Sequence, residues 1–260
     1  MGELYYIYLR ETMPWHDEEA IRGRLWPGLQ PAVDLWNRCF EIPFHLFRNE
    51  LKQIAALNVS RVEGATFTLD LAAIPDGAVV LPCDDDDWFA PDVPRILEAE
   101  RDRTKVGCYW TRTFMEVPVD LKHAIGLVRD RFFPNRPPKW ICTTNNHAFV
   151  KSAETAPLYR SHIAASDFVV ANPGRIQRID RRLALQNRSL ASTTTLGWRR
   201  GGPRELTEPQ LLRKFAKYRS LYRSWRPPEG LEWSAPYIGM MRDLMDRLRP
   251  RTASPLRGGR

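Results

Sequence analysis

Val79-Val80-Leu81-Pro82-Cys83-Asp84-Asp85-Asp86-Asp87-Trp88-Phe89-Ala90-Pro91-Asp92 is the stretch on which the reading of this 260-residue chain turns. Asp76-Gly77 just before it is a turn signal, and residues 78–81 form an unbroken apolar run, the pattern of a strand covered on both faces. Four adjacent carboxylates follow where that strand ends. In open α/β sheets this is the crevice in which ligands bind. At about 4–6 Å and an effective dielectric of about 20, each like-charged neighbour costs about 3–4 kcal/mol before screening. A divalent cation offsets that repulsion. Mg²⁺ and Mn²⁺ are hard ions that prefer oxygen ligands and in turn bind a diphosphate. The plainer alternative is a solvated acidic turn capping the next helix, which needs neither the buried strand before it nor Trp88 and a helix-opening Pro91 after it.

Outward from this stretch, apolar runs alternate with helical patterns. Residues 4–9 read as a first buried strand, residues 17–21 as an acidic helix start and residues 31–39 as a second helix. Residues 42–47 read as a strand, after which Asn49 caps a helix through Leu51, Ile54 and Leu57. On the other side, Pro91 opens a helix through Val93, Ile96 and Leu97, and residues 106–114 are strand-like. Residues 133–138 form a proline-rich loop, residues 140–150 look extended, and residues 178–186 make one more strand. This order predicts an α/β fold with a mixed, mostly parallel sheet flanked by helices.

The net charge of +8 invites a nucleic-acid reading, but its distribution argues otherwise. Residues 1–196 carry 24 Lys/Arg against 25 Asp/Glu, whereas residues 197–260 carry 15 against 6. The chain thus divides into a balanced domain, 1–196, and a basic helical extension, 197–260. In the extension Thr207 caps a helix to about Trp225, residues 237–248 form a second, and residues 249–260 read as a disordered tail. Leu211, Phe215, Tyr218 and Tyr222 make an apolar face ringed by Arg213, Lys214, Lys217 and Arg223. Such a face packs on its own domain or meets a membrane surface or another anionic partner.

Cys39, Cys83, Cys108 and Cys142 are far apart and lack any CxxC pair, so buried thiols in a reducing compartment are expected. His16, His45, His123, His147 and His162 form no zinc motif, and no GxSxG or P-loop occurs. The chain has no basic start followed by a long apolar stretch, so a soluble cytoplasmic protein is the expectation. Trp88 and Trp110 read as core, with stacking on a sugar face as the alternative.

Asp-x-Asp-Asp at the end of a buried strand, then Pro and a helix, resembles the metal-binding motif of GT-A fold glycosyltransferases, particularly glycosyltransferase family 2. The resemblance covers residues 78–194. It implies a nucleotide-sugar donor whose diphosphate meets Asp84, Asp85 and Asp86 through Mn²⁺ or Mg²⁺, with Asp84, Asp86 and Asp87 as metal ligands. It also makes Asp167, in Ser161-His162-Ile163-Ala164-Ala165-Ser166-Asp167-Phe168, the candidate general base for an acceptor hydroxyl. Asn187 and Arg188 stand in the polar turn after a late strand where the family often has a histidine, and Arg188 is a candidate cation for the diphosphate. Arg10, after the first strand, is a candidate contact for the nucleotide. The acceptor is open: a glycan, a lipid-linked group, a protein or a nucleic acid, with peripheral contact at the inner membrane face through the basic helix. Two rival functions use the same residues: metal-dependent nucleotidyl or phosphoryl transfer at the acids, and a non-enzymatic nucleic-acid or membrane-binding module built on the basic helix.

Overall fold

A computed structural model describes residues 4–8, 30–62, 65–68, 71–83, 87–111, 113–116, 127–130, 142, 145–160, 162–192, 196, 198–199, 202–203 and 206–251. The expected helix start at 17–21, the loop at 133–138 and the chain beyond 251 lie outside these residues.

Six strands make the larger sheet: β1 (Leu4–Tyr8), β2 (Ala65–Thr68), β3 (Val79–Cys83), β5 (Gly107–Trp110), β8 (His147–Val150) and β9 (Ile176–Ile179). Their order is β2-β1-β3-β8-β5-β9. β2, β1 and β3 run parallel, as do β5 and β9, while β8 runs against both its neighbours. A smaller sheet has the order β4-β10-β6-β7, with β4 (Trp88–Phe89), β6 (Thr113–Glu116), β7 (Leu127–Asp130) and β10 (Ala184–Asn187). The class is therefore α/β with two mixed sheets. The two sheets alternate along the chain: β3 is followed in sequence by β4, β5 by β6 and β9 by β10.

Burial explains the unbroken apolar run of β3. Val79, Leu81 and Cys83 enter a core cluster with Val93 and Leu97 of α3 (Val93–Glu100) on one face. Val80 enters a second cluster with Ala165 and Val169 of α4 (His162–Ala171) on the other. A strand sandwiched this way has no wet face on which to place a polar residue. Gly107 is required where β5 meets β8, because a Cβ there would lie 2.7 Å from the Ala148 carbonyl and strike the Phe149 ring.

Four local expectations are revised. Residues 42–47 are not a strand: Phe44 opens α2 (Phe44–Ser60), and Asn49 lies inside it rather than at its cap. Phe44, Phe47, Leu51, Ile54, Ala55 and Asn58 are buried at helical spacing, and burial of that stripe overrides the β propensity of its first residues. Pro91 precedes α3, whose first turn holds Pro94. The stretches 106–114 and 178–186 each split into two strands, because each crosses from one sheet to the other. Chain beyond residue 248 remains paired as far as Arg251: Pro250 bridges Phe40, and the Arg251 N–H donates to the Cys39 carbonyl at 2.7 Å.

The third cluster joins the basic extension to the rest. α5 (Glu208–Ser224) and α6 (Ala235–Arg247) bury Leu211, Phe215, Tyr218, Tyr222, Tyr237 and Met241 against α1 (Gln30–Cys39), α2 and the smaller sheet. The Phe215 ring lies 5.2 Å from Phe40, and Tyr237 lies 5.8 Å from Trp88. Thr207 begins α5 as expected, its N–H donating to Gln210 Oε1 at 2.9 Å. The apolar face of the basic helix therefore packs on its own chain, and its basic residues are left outside.

Candidate functional site

The sheet order creates a switch point. From β1 the chain moves to β2 on one side, then returns to β3 on the other. Crevices at such reversals, beyond the carboxyl ends of the strands, are where open α/β sheets hold ligands. Tyr8 pairs with Cys83, so β1 and β3 end level with each other, and the aspartate run begins at the next residue in sequence. Asp84, Asp85 and Asp86, like Arg10, lie outside the described residues. They are bracketed by Cys83 and Asp87, both buried.

Asp87 is wholly buried, and its Oδ1 accepts the Asn187 N–H at 3.1 Å. Asn187 ends β10, which pairs antiparallel with β4 through Leu185 and Trp88. The Asn187 Oδ1 in turn accepts the Tyr222 hydroxyl at 3.2 Å. A buried chain thus runs from α5 through the end of β10 to the last aspartate. The structure gives Asp87 a positioning bond that the motif alone did not imply: one carboxylate oxygen ties the acidic run to β10. Arg188, next in sequence, has its guanidinium 4.7 Å from the Phe114 ring centre and its N–H on the Met115 carbonyl at 3.0 Å. Its cation is held by the smaller sheet beside Asn187.

Two asparagines lead into β8 beside β3. Extending the β3–β8 register from Val80 and Phe149 brings Asn146 level with Cys83 and His147 level with Pro82. Asn145, Asn146 and His147 are all buried. Asn146 Nδ2 donates to the Trp110 carbonyl at 3.1 Å, and the Trp110 N–H returns a bond to the Asn146 carbonyl at 3.0 Å. Trp110 Nε1 and Gln186 Oε1 are buried without a hydrogen-bond partner. An unsatisfied polar atom costs about 1–3 kcal/mol.

Asp167 is placed differently. It is exposed on α4, on the same side as Ile163 and Val170, which are 38% and 40% exposed. Ser166 of the same helix is buried, and its Oγ accepts the Cys142 N–H at 2.9 Å. No hydrogen bond or ion pair joins Asp167 to Asp87 among the described residues.

The thiols are packing groups. All four cysteines are free and buried, and burial pushes the Cys108 thiol up to about 12, far from a usable thiolate. Among the described residues no three acids, histidines or cysteines converge on one point, and no helix is long and apolar enough to cross a membrane. Trp88 and Trp110 are core residues. The sequence placed Tyr222 only on an apolar helical face and gave no sign of a role for Asn58. Each sits in an apolar helical stripe, where a hydroxyl or an amide carries no sign of the distant partner it will meet.

No family model, curated protein or solved structure matches this chain.

Proposed function

We propose that the chain is a metal-dependent glycosyltransferase of GT-A-like fold, moving a sugar from a nucleotide-diphosphate donor to an acceptor hydroxyl. The observation that carries this reading is that β3 ends at the switch point one residue before the aspartate run, whose last member, Asp87, is bonded through Asn187 to Tyr222. Asp84 and Asp86 would hold Mn²⁺ or Mg²⁺ and Asp85 the donor side, with Arg10 toward the nucleotide. The cation, when bound, neutralises the charge that develops on the leaving diphosphate. Asp87 fixes the acidic run against β10, and the Arg188 guanidinium adds a permanent positive charge. Asp167, exposed between Ile163 and Val170, is free to take a proton from an acceptor approaching α4. Arg213, exposed on α5, belongs to the face that would meet an anionic surface at the cytoplasmic side of a membrane.

The test is a screen of nucleotide sugars with the full chain and Mn²⁺, read as release of nucleoside diphosphate. Asp86→Ala should lower turnover by at least about 100-fold with unchanged thermal unfolding. Full activity in that variant would sink the assignment, and release of pyrophosphate would replace it with nucleotidyl transfer.

A further inference from the structure

At the end of the β4–β10 ladder away from Asp87 lies an open cavity of about 740 Å³. Small-molecule sites span roughly 300–1,000 Å³. Ala90, Ile96 and Leu183 give it an apolar floor. One wall is the turn between α5 and α6, where Gly230 has a φ of 79°, a conformation that favours glycine. Three bonds hold that turn: Arg182 Nη1 to the Glu229 carbonyl at 2.6 Å, the Gly230 N–H to Glu232 Oε1 at 3.1 Å, and Trp233 Nε1 to the Gly230 carbonyl at 3.1 Å. Trp233 also packs against two of the three core clusters, so its ring is supported from behind. Its one donor is used inside the turn, leaving the ring surface as what it offers to a ligand.

The charges of the groove answer one another. Arg178 pairs with Asp180 at 2.7 Å, Arg181 with Glu100 at 2.6 Å, and Arg95 with Asp92 at 3.0 Å. Four lining carboxylates stand against three lining guanidinia, so a phosphate or other anion gains nothing by entering. A rigid aromatic wall, an apolar floor and a rim of compensated donors and acceptors suit a neutral ligand with a C–H face and hydroxyl edges.

We propose that this groove binds a neutral saccharide chain, with a sugar face on Trp233 and hydroxyls on the surrounding carboxylates and guanidinia. Ala90 is three residues from Asp87 along β4, or about 10 Å at ~3.3 Å per residue, a distance a short oligosaccharide spans. Binding here stands without the transferase reading; where both hold, the groove is an acceptor subsite.

Calorimetric titration of the full chain with maltotriose, cellotriose and chitotriose, in EDTA and without nucleotide, tests the groove separately from the acids. At least one trisaccharide should bind saturably and more tightly than inorganic phosphate. Trp233→Phe should keep affinity within about threefold, whereas Trp233→Leu and Arg182→Ala should each weaken it by about tenfold or more. No saccharide binding at millimolar concentration, undiminished binding in the folded Trp233→Leu chain, or a preference for phosphate overturns the proposal. Circular dichroism checks the fold of each variant, and Arg182→Ala decides the matter if Trp233→Leu unfolds. Saccharide binding without any transfer from nucleotide sugars would sink the transferase reading and leave the groove standing.

Discussion

The two ends of the β4–β10 ladder contrast in how they treat charge. At the Asp87–Asn187 end the sequence sets four consecutive aspartates, and the last of them accepts the Asn187 N–H. At the Ala90–Leu183 end, where the Ala90 N–H donates to the Leu183 carbonyl at 2.9 Å, arginines and acids are already matched in pairs. Concentrated charge of one sign creates a demand for a counter-ion, whereas compensated charge leaves hydrogen bonding and ring contact as the means of recognition. On the proposed reading, the acid end of these two strands would recruit a cation and its anionic ligand, and the groove end a neutral ligand.

Asn58 tests both ends at once. Its Nδ2 donates to the Phe89 carbonyl at 2.8 Å and its Oδ1 accepts the Phe89 N–H at 2.7 Å, so a side chain of α2 completes the outer edge of β4. Asn58→Ala should orphan both groups and cost about 2–4 kcal/mol in urea unfolding. Donor binding and saccharide binding should fall together; loss of only one would show that the ends do not depend on a common strand.

Tyr222→Phe separates them. It removes one buried hydrogen bond, worth about 1 kcal/mol of stability, and should reduce turnover at the acids by about tenfold while trisaccharide affinity stays within about twofold. Unchanged turnover would remove α5 from the acid site. The smallest effect belongs to a control away from both ends. Arg219 Nε donates to Asp246 Oδ1 at 2.9 Å and Arg223 adds a second bond, holding the Asp246 carboxyl below the usual carboxylate range. A depressed pKa stabilises the fold above the unfolded carboxyl value, near ~4, and that contribution is lost as pH falls through the folded value. Asp246→Asn should cost no more than about 1 kcal/mol at neutral pH, with the difference shrinking toward pH ~3 and neither ligand affected. A persistent difference in acid would assign the effect to packing instead.

Much of the secondary structure was legible because its causes are local. The apolar run before the aspartates, the helix ending near Cys39 and the helix begun by Thr207 all stand where periodicity and end signals put them. The misread residues 42–47 show the limit: Phe44 and Phe47 fit a strand in a short window and a helix only when Leu51 and Ile54 are counted with them. The runs 106–114 and 178–186 were legible as extended chain, but not as pairs of strands in two sheets, because sheet membership is settled by partners far away in sequence.

The candidate site divides in the same way. By itself the sequence determined that four carboxylates follow a buried strand, since strand burial and charge repulsion are properties of neighbouring residues. Only the tertiary structure decided that this strand lies at a switch point, that Asp87 reaches Asn187 a hundred residues away, and that Tyr222 closes the chain of bonds. Hydrogen-bond partners are chosen by where folding brings a buried donor and acceptor together, and no local pattern of residue types records that choice.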